Sequence, residues 1–387
     1  MRRHRAGRSP PRKEAAVTVD AHTARDAELV QLLTPEGERL EHPDYPLSLS
    51  DQQLRELYRD LVLVRALDVE SVALTRRGEL GLWPSLLGQE AAQIGSGRAL
   101  GPGDMVFPTY REHAVAYCRG LPWLNILRLF RGVNHAGWDP KEFGFHLYTI
   151  VIGSQTLHAT GYAMGMQHDA RTIAEQGETA VGDATLAYFG DGATSQGDVN
   201  EAFVFAAVYN APIVFFCQNN QWAISEPLER QTRIPLYRRA QGFGFPGVRV
   251  DGNDVLACLA VTRRALDRAR TGEGPSLIEA FTYRMGAHTT TDDPTRYRHS
   301  DELEAWKLKD PIARVKAYLS RTGLANKAFF EEVDVQVAEA AVELRAACLA
   351  LPDPPPEAMF QHVYAAPHRL LQEEQAAYET YLAGFHD

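Results

Sequence analysis

The stretch at residues 190–220, GDGATSQGDVNEAFVFAAVYNAPIVFFCQNN, constrains the fold of this chain more than any other. A short apolar run at 186–189 precedes it, and a second apolar run at 213–217 lies near its end. Both runs have the length and composition of buried strands. The apolar residues between them predict a helix that ends near Asn210. Strand, helix and strand form a βαβ unit, whose right-handed crossover makes the two strands parallel in one sheet.

Polar residues follow both predicted strands. Asp191 leaves the end of one strand and Asn220 the end of the other. Because carboxyl ends of parallel strands share one edge, we expect these oxygens to face a common point, with a main-chain carbonyl near Trp222 as a third ligand. Few hard oxygen ligands, with room for phosphate oxygens, suit magnesium held on a substrate's phosphates. Gly190 and Gly192 would let the backbone approach such a phosphate.

The pattern is specific only when its two short motifs, the strands and the helix are taken together. Gly-Asp-Gly alone, or Asn-Asn alone, indicates a simple turn more often than a binding site. Together with the strands and helix, at a spacing of 29 residues from Asp191 to Asn220, they favour a phosphate and metal site.

Two other segments carry candidate chemistry. The tetrapeptide 110–113, Tyr-Arg-Glu-His, follows a turn, and Arg111 could offer its forked donors to a diphosphate. Composition alone supports a structural salt bridge for Arg111 about equally. The hexapeptide 283–288, YRMGAH, ends a strongly predicted strand, and a histidine leaving such a strand end is a catalytic candidate, here His288.

The combined pattern resembles a known family. Residues 190–220 look like the thiamine diphosphate-binding motif. With the segments 110–113 and 283–288, the region 50–320 resembles the alpha subunit of the two-subunit decarboxylating component of 2-oxoacid dehydrogenases. The resemblance implies thiamine diphosphate and Mg²⁺ as cofactors, and an α/β fold of three layers, αβα, with a mainly parallel sheet.

The resemblance also implies roles for individual residues. The metal ligands would be Asp191, Asn220 and Trp222. The catalytic residues would be His288 and His113. The cofactor would contact Tyr110, Arg111, Ser154, Thr156, Gly190, Asp191, Gly192, Ala193, Asn220, Trp222 and His288.

Three regions follow from these patterns. We expect a basic disordered tail and extended arm at 1–47, a thiamine diphosphate-binding α/β domain at 48–310 and a C-terminal helical extension at 311–387. A chain of this length has one half of such a site. The resemblance therefore implies a beta subunit that brings a glutamate beside the cofactor's aminopyrimidine, in an α₂β₂ heterotetramer that passes its acyl group to a lipoyl-bearing acyltransferase core.

The resemblance implies a small 2-oxoacid as the substrate. Segments 216–225 and 250–255 look closest to branched-chain members, which favours 3-methyl-2-oxobutanoate, with pyruvate dehydrogenase as the alternative. Trp83 and Thr109 are candidates for sizing the pocket. A free-standing thiamine-dependent lyase would need its own pyrimidine domain. A cofactor-free regulatory subunit, the remote alternative, would have lost Asp191 or Asn220, and both are present.

Composition excludes several other classes. A net charge of −10 over 387 residues argues against a general nucleic-acid binder. No apolar run approaches a membrane span, and the arginine-rich start lacks the apolar stretch of a secretory signal. The four scattered cysteines show no paired metal spacing and are expected to be reduced. These features indicate a cytoplasmic protein, although an arginine-rich transit peptide to the mitochondrial matrix remains an alternative.

Local signals predict further elements. Ser50 and Gln53 form a capping box before a helix to about residue 77, and Asp198 with Glu201 predict a second capping box. Residues 150–165 suggest a strand, a loop and a small-residue helix, and the polar segment 168–183 suggests a solvent-exposed loop.

Overall fold

The computed structural model describes residues 29–133, 137–177 and 182–385. The basic tail predicted at the N-terminus therefore lies outside the described residues. The helices are α1 (Asp51–Arg76), α2 (Glu90–Gly97), α3 (His113–Cys118), α4 (Trp123–Arg131), α5 (Pro140–Phe143), α6 (Ser154–Glu175), α7 (Gly197–Tyr209), α8 (Leu228–Gln231), α9 (Arg239–Phe243), α10 (Val255–Arg270), α11 (Ser300–Lys307), α12 (Pro311–Arg321), α13 (Lys327–Leu349) and α14 (Arg369–Ala383). The strands are β1 (Met105–Phe107), β2 (Thr185–Gly190), β3 (Ile213–Asn219), β4 (Trp222–Ala223), β5 (Glu226–Pro227), β6 (Gly247–Asp251) and β7 (Ser276–Phe281).

The centre of the fold is a five-stranded sheet in the order β1-β2-β3-β7-β6, with every pairing parallel. The register aligns Gly190 with Gln218, and Asn219 with Phe281, so β2, β3 and β7 end at the same edge. The predicted βαβ unit is confirmed as β2, α7 and β3. A short antiparallel pair, β4 and β5, follows β3 beyond that edge.

Helices cover both faces of this sheet. Leu186 and Tyr188 of β2 point into a core shared with α1, α2 and α10, because side chains of a strand alternate between its faces. Ala187 and Phe189 point the other way, into a core shared with α6 and α7. The three-layer αβα architecture is therefore confirmed.

Helix ends follow the capping signals at two places and depart from them at a third. The Ser50 hydroxyl accepts the Gln53 N–H, and the Gln53 side chain accepts the Ser50 N–H, which confirms the capping box. Asn210 ends α7 in the left-handed conformation, at a φ of 52°. The cap predicted at Asp198 is wrong: α7 begins at Gly197 after Gln196, so Asp198 lies inside the first turn.

The segment after residue 150 also differs from the sequence expectation. Ile150, Val151 and Ile152 form no strand; their side chains are 67%, 70% and 41% exposed, and α6 begins directly afterwards. Gly153 precedes α6 with a φ of +90°, a conformation that glycine adopts at no steric cost. The predicted loop at 168–183 is helical as far as Glu175, because its alanine, arginine and glutamate residues favour a helix. Residues 178–181 lie outside the described chain.

The N-terminal arm and the C-terminal helices are attached to this core. The Asp254 carboxylate accepts the main-chain N–H groups of Leu32 and Leu33 at 2.7 and 2.6 Å. Arg314 of α12 donates to Asp251 at 2.8 Å and to the Leu33 carbonyl at 3.0 Å. Helices α12 and α13 pack against α1. All four cysteines are free thiols. Within the described ranges, no helix has both the length and the apolar character needed to cross a membrane.

Candidate functional site

A cavity of about 210 Å³ lies at the edge where β2 and β3 end. A larger cavity of about 560 Å³, between α1 and α13, contains none of the predicted site residues. The smaller one brings together most of the residues predicted from the sequence. It is lined by Tyr110, Arg111, Gly190, Asp191, Gly192, Ala193, Asn220, Trp222 and His288 among the predicted residues, together with Thr109.

Asp191 lines this cavity and immediately follows β2. Its carboxylate is buried and accepts a hydrogen bond from the Gln231 side chain at 2.8 Å. Burial raises the pKa of Asp191 to about 6, and the Gln231 hydrogen bond opposes that shift. At Gly192 an added Cβ would come within 2.6 Å of the Ala223 Cβ, so glycine is needed where β4 packs against the loop.

Asn220 enters the cavity from the end of β3. Its Nδ2 donates to Gln89 Oε1 at 3.1 Å, and its Oδ1 accepts the Trp222 N–H at 3.3 Å. The Trp222 carbonyl, the third predicted ligand, accepts a hydrogen bond from Arg284 at 2.9 Å. The structure thus places one carboxylate, one amide and one carbonyl around the same cavity.

These groups differ from a site built on histidine, cysteine or several carboxylates. No cluster of three such side chains suited to a metal ion occurs in the described ranges. Oxygen donors that include an amide and a carbonyl are characteristic of a hard cation that also takes ligands from a phosphate.

A cationic group lies opposite these oxygens. Arg111 is buried and donates to the Ser85 carbonyl at 2.6 Å and to the His288 carbonyl at 2.8 Å. Its Nη2 also lies 3.3 Å from His288 Nδ1, and its guanidinium lies 5.6 Å from the Tyr110 ring centre. The Tyr110 ring meets the His288 ring edge-on at 6.1 Å. Main-chain carbonyls therefore hold Arg111 in place without neutralising its charge.

His288 is neutral at pH 7. Its partial burial and the nearby charges of Arg111 and Arg284 lower its pKa to about 4. Because a guanidinium only donates, the contact with Arg111 requires Nδ1 to accept, and this places the proton of the neutral ring on Nε2.

His113 lies outside the cavity. Its ring is fully buried and stacks on Trp83 at 4.2 Å, with Nδ1 at 2.6 Å from the Tyr148 hydroxyl and Nε2 at 3.1 Å from the Pro84 carbonyl. Burial lowers the pKa of His113 to about 3. The structure does not bring this predicted catalytic histidine to the site, and Trp83 lies in the core with it.

Ser154 and Thr156 bond within their own turn. Ser154 Oγ donates to the Val151 carbonyl at 3.0 Å, and Thr156 Oγ1 donates to the Gly153 carbonyl at 2.6 Å. At this corner the cavity is lined by Ile152, Gly153 and Gln155 instead.

Several polar residues of the site were not anticipated from the sequence. Gln89, Gln155, Gln218 and Arg284 line the cavity. Within the described chain, Gln89 Nε2, Gln155 Oε1 and Arg284 Nε are buried without a hydrogen-bond partner. Arg284 lies in segment 283–288, the segment from which His288 was predicted. Its place in that segment could have identified it as a site residue. Two of the three unpaired atoms are donors, which suits an anionic group.

Comparisons with known proteins agree with this arrangement. Residues 58–356 match the family model described as dehydrogenase E1 component. The chain is 45% identical over 354 residues to the 3-methyl-2-oxobutanoate dehydrogenase subunit alpha of Mycobacterium tuberculosis, covering 90% of this chain and 94% of that protein. It is 40% identical over 314 residues to the pyruvate dehydrogenase E1 component subunit alpha of Staphylococcus aureus, covering 81% and 82% of the two chains. The corresponding subunit of Staphylococcus epidermidis is 40% identical over 334 residues, with 86% of each chain covered.

Proposed function

This chain belongs to the dehydrogenase E1 component family, and on that premise we propose that it is the alpha subunit of a branched-chain 2-oxoacid dehydrogenase. The reaction is the thiamine diphosphate-dependent oxidative decarboxylation of 3-methyl-2-oxobutanoate, with transfer of the acyl group to a lipoyl group. The observation that carries the proposal is the convergence of Asp191, Asn220, Arg111 and His288 on one cavity at the carboxyl edge of the parallel sheet.

The residues of the cavity fit thiamine diphosphate with Mg²⁺. Arg111 and the unpaired donors of Gln89 and Arg284 suit a diphosphate, and the oxygens of Asp191, Asn220 and Trp222 suit the cation. Bound thiamine diphosphate supplies the nucleophilic carbon for the keto group and the electron sink for decarboxylation.

The protein's own residues bind and orient. Arg111, fixed by two carbonyls, holds negative charge at one end of the cavity. His288 presents a neutral ring with its proton on Nε2, and this N–H can donate a hydrogen bond to an oxygen of the reacting group. Gly190, Gly192 and Ala193 line the cavity and carry no side chain beyond Cβ, so the backbone beside Asp191 would be open to a diphosphate.

We propose that the active site is completed by a beta subunit in an α₂β₂ heterotetramer, which passes its product to a lipoyl-bearing acyltransferase core. The exposed apolar residues Ile150, Val151 and Ile152 support this assembly, because they adjoin the cavity and Ile152 lines it. Both kinds of relative are alpha subunits by name, and they come from bacteria, which supports a bacterial cytoplasmic enzyme.

The preference for a branched-chain acid rests on the higher identity to the mycobacterial subunit. Thr109 lines the cavity and can limit its size, whereas Trp83 lies in the core. Pyruvate dehydrogenase is the second candidate, because a relative of that name is 40% identical.

The test is steady-state kinetics of the chain reconstituted with its beta subunit on a panel of 2-oxoacids. Each extra buried methylene contributes about 1–3 kcal/mol to discrimination, so we expect kcat/KM for 3-methyl-2-oxobutanoate to exceed that for pyruvate by about a hundredfold. A ratio in favour of pyruvate would assign the chain to the second candidate. No turnover of any 2-oxoacid would refute the proposed reaction.

A further inference from the structure

Two glutamines each contact one of the two proposed metal-ligand side chains. Gln231, the last residue of α8, donates its Nε2 to Asp191 Oδ2 at 2.8 Å and to the Glu226 carbonyl at 3.1 Å. Gln89, which precedes α2, accepts the Asn220 Nδ2 with its Oε1 at 3.1 Å. The two glutamines lie 142 positions apart in the sequence, and neither belongs to a strand of the sheet.

Each contact fixes the orientation of the group it meets. A carboxamide has one oxygen and one NH₂ group, so holding the NH₂ of Asn220 directs its Oδ1 to the other side. Holding Oδ2 of the Asp191 carboxylate fixes the direction in which Oδ1 points. The two glutamines therefore orient the oxygens of both ligands.

The choice of glutamine has an electrostatic reason. A lysine or arginine at position 231 could also hold Asp191, but its charge would repel a dication bound to the same carboxylate. A carboxamide donates a hydrogen bond and adds no net charge.

We infer that Gln231 and Gln89 are positioning residues that orient Asp191 and Asn220 for a divalent cation, an inference that rests on the proposed function. One unpaired buried atom agrees with this role: Gln89 lines the cavity, and its Nε2 has no partner in the described chain. Gln89 thus offers a spare donor to the anion that accompanies the cation. Residues that orient metal ligands typically contribute 10- to 100-fold to metal affinity.

The experiment measures Mg²⁺ affinity without substrate, so that it does not depend on turnover. Mg²⁺ is titrated calorimetrically into the complex with the beta subunit, at saturating thiamine diphosphate. Gln231→Met keeps the length of the side chain and removes its donor, and we expect Mg²⁺ to bind about 10- to 100-fold more weakly. The matched control is Arg230→Met on the same short helix. The Arg230 side chain is exposed and pairs with Glu226 at 3.4 Å, and the variant should bind Mg²⁺ as the wild type does.

A double-mutant cycle distinguishes orientation from a general structural role. If Gln231 acts through Asp191, Gln231→Met should add little to the loss caused by Asp191→Asn, since the two changes remove the same interaction. The same cycle pairs Gln89→Met with Asn220→Ala. Gln89 is fully buried, so Gln89→Met could fail to fold. If thermal unfolding shows that it does, Gln89→Asn takes the place of Gln89→Met in the cycle.

The outcomes distinguish a failure of the positioning role from a failure of the proposed metal site. Wild-type Mg²⁺ affinity in Gln231→Met, or losses that add to those of Asp191→Asn, would overturn the positioning role. Wild-type affinity in Asp191→Asn itself would overturn the proposed metal site. A non-additive loss in both cycles would support both.

Discussion

His288 shows how neighbouring groups set the chemistry of one residue. Partial burial, Arg111 and Arg284 lower its pKa to about 4, so the ring is uncharged throughout the physiological range. It contacts Arg111 through Nδ1, and its main-chain N–H is held by Asp292 at 2.9 Å. A fixed neutral ring of this kind acts as a hydrogen-bond donor and not as a cation.

We predict that His288→Ala lowers kcat by about 10²- to 10³-fold, the usual loss when one hydrogen-bond donor to a developing negative charge is removed. Affinity for thiamine diphosphate should change much less, because His288 is an uncharged group and Arg111 keeps its bond to Ser85. Transfer to a lipoyl substrate and calorimetric cofactor affinity are the two measurements. Lost cofactor affinity with normal turnover at saturation would assign His288 to binding alone.

Asp191 makes cofactor binding depend on pH. Its pKa is raised to about 6 by burial, and a metal ligand must be ionised, so a proton competes with Mg²⁺ below that value. The affinity should rise with pH and level off above about 7. At pH 5 only about a tenth of the carboxylate is ionised, which predicts binding about tenfold weaker than at pH 7.5.

The control for this pH dependence is Asp191→Asn, because the diphosphate of the ligand also titrates in this range. Calorimetry at several pH values should show a steeper dependence in the wild type than in the variant. Equal slopes would mean that Asp191 is not the group that titrates.

The predicted site residues that the structure brings together in one cavity are those that follow strands. Asp191 and Asn220 could be brought together because parallel strands end at one edge. Gln89 and Gln231 could not, since they lie at helix ends and reach the site only through tertiary packing. His113 and Arg111 are two positions apart, yet only Arg111 lines the cavity, because residue 113 begins α3 and its ring packs into the core.

At the scale of elements, one capping box and the βαβ unit were predicted correctly, whereas the cap at Asp198 and the strand after residue 150 were not. The Ser50–Gln53 capping box and the βαβ unit were predicted because each depends on residues close in sequence. The apolar run 150–152 suggested a strand, but its side chains are exposed beside the cavity. A sequence shows that a residue is apolar, and it does not show whether a partner chain or the core covers that residue.

The capping box at the start of α1 gives a test at this scale. Ser50→Ala removes the acceptor for the Gln53 N–H and should destabilise the protein by about 1 kcal/mol. Ser48→Ala, the same change two positions earlier in an exposed segment, should have an effect close to zero. Urea unfolding followed by circular dichroism would measure both. Equal effects of the two changes would contradict a specific role for the cap.

At the scale of the whole molecule, we propose that a second subunit completes the cavity. It opens beside exposed apolar residues, and the described residues supply groups for a diphosphate and a cation. We predict that the purified chain alone shows no turnover of any 2-oxoacid, and that adding the beta subunit restores it. Turnover by a chain proven free of beta subunit would contradict a site shared between two chains.

The central claim is that this chain holds the diphosphate of thiamine diphosphate through a divalent cation at Asp191. The most direct measurement is calorimetric titration of thiamine diphosphate in Mg²⁺ buffer into the wild-type complex and into Asp191→Asn. The amide keeps the shape of the side chain and removes the one charge among the proposed ligands. Losing it should cost several kcal/mol, so we predict affinity at least about a hundredfold weaker. The melting temperature of the unliganded protein should be no lower than that of the wild type, because the buried charge, whose pKa burial raises, costs the unliganded fold stability at neutral pH. Wild-type affinity in Asp191→Asn would contradict the account.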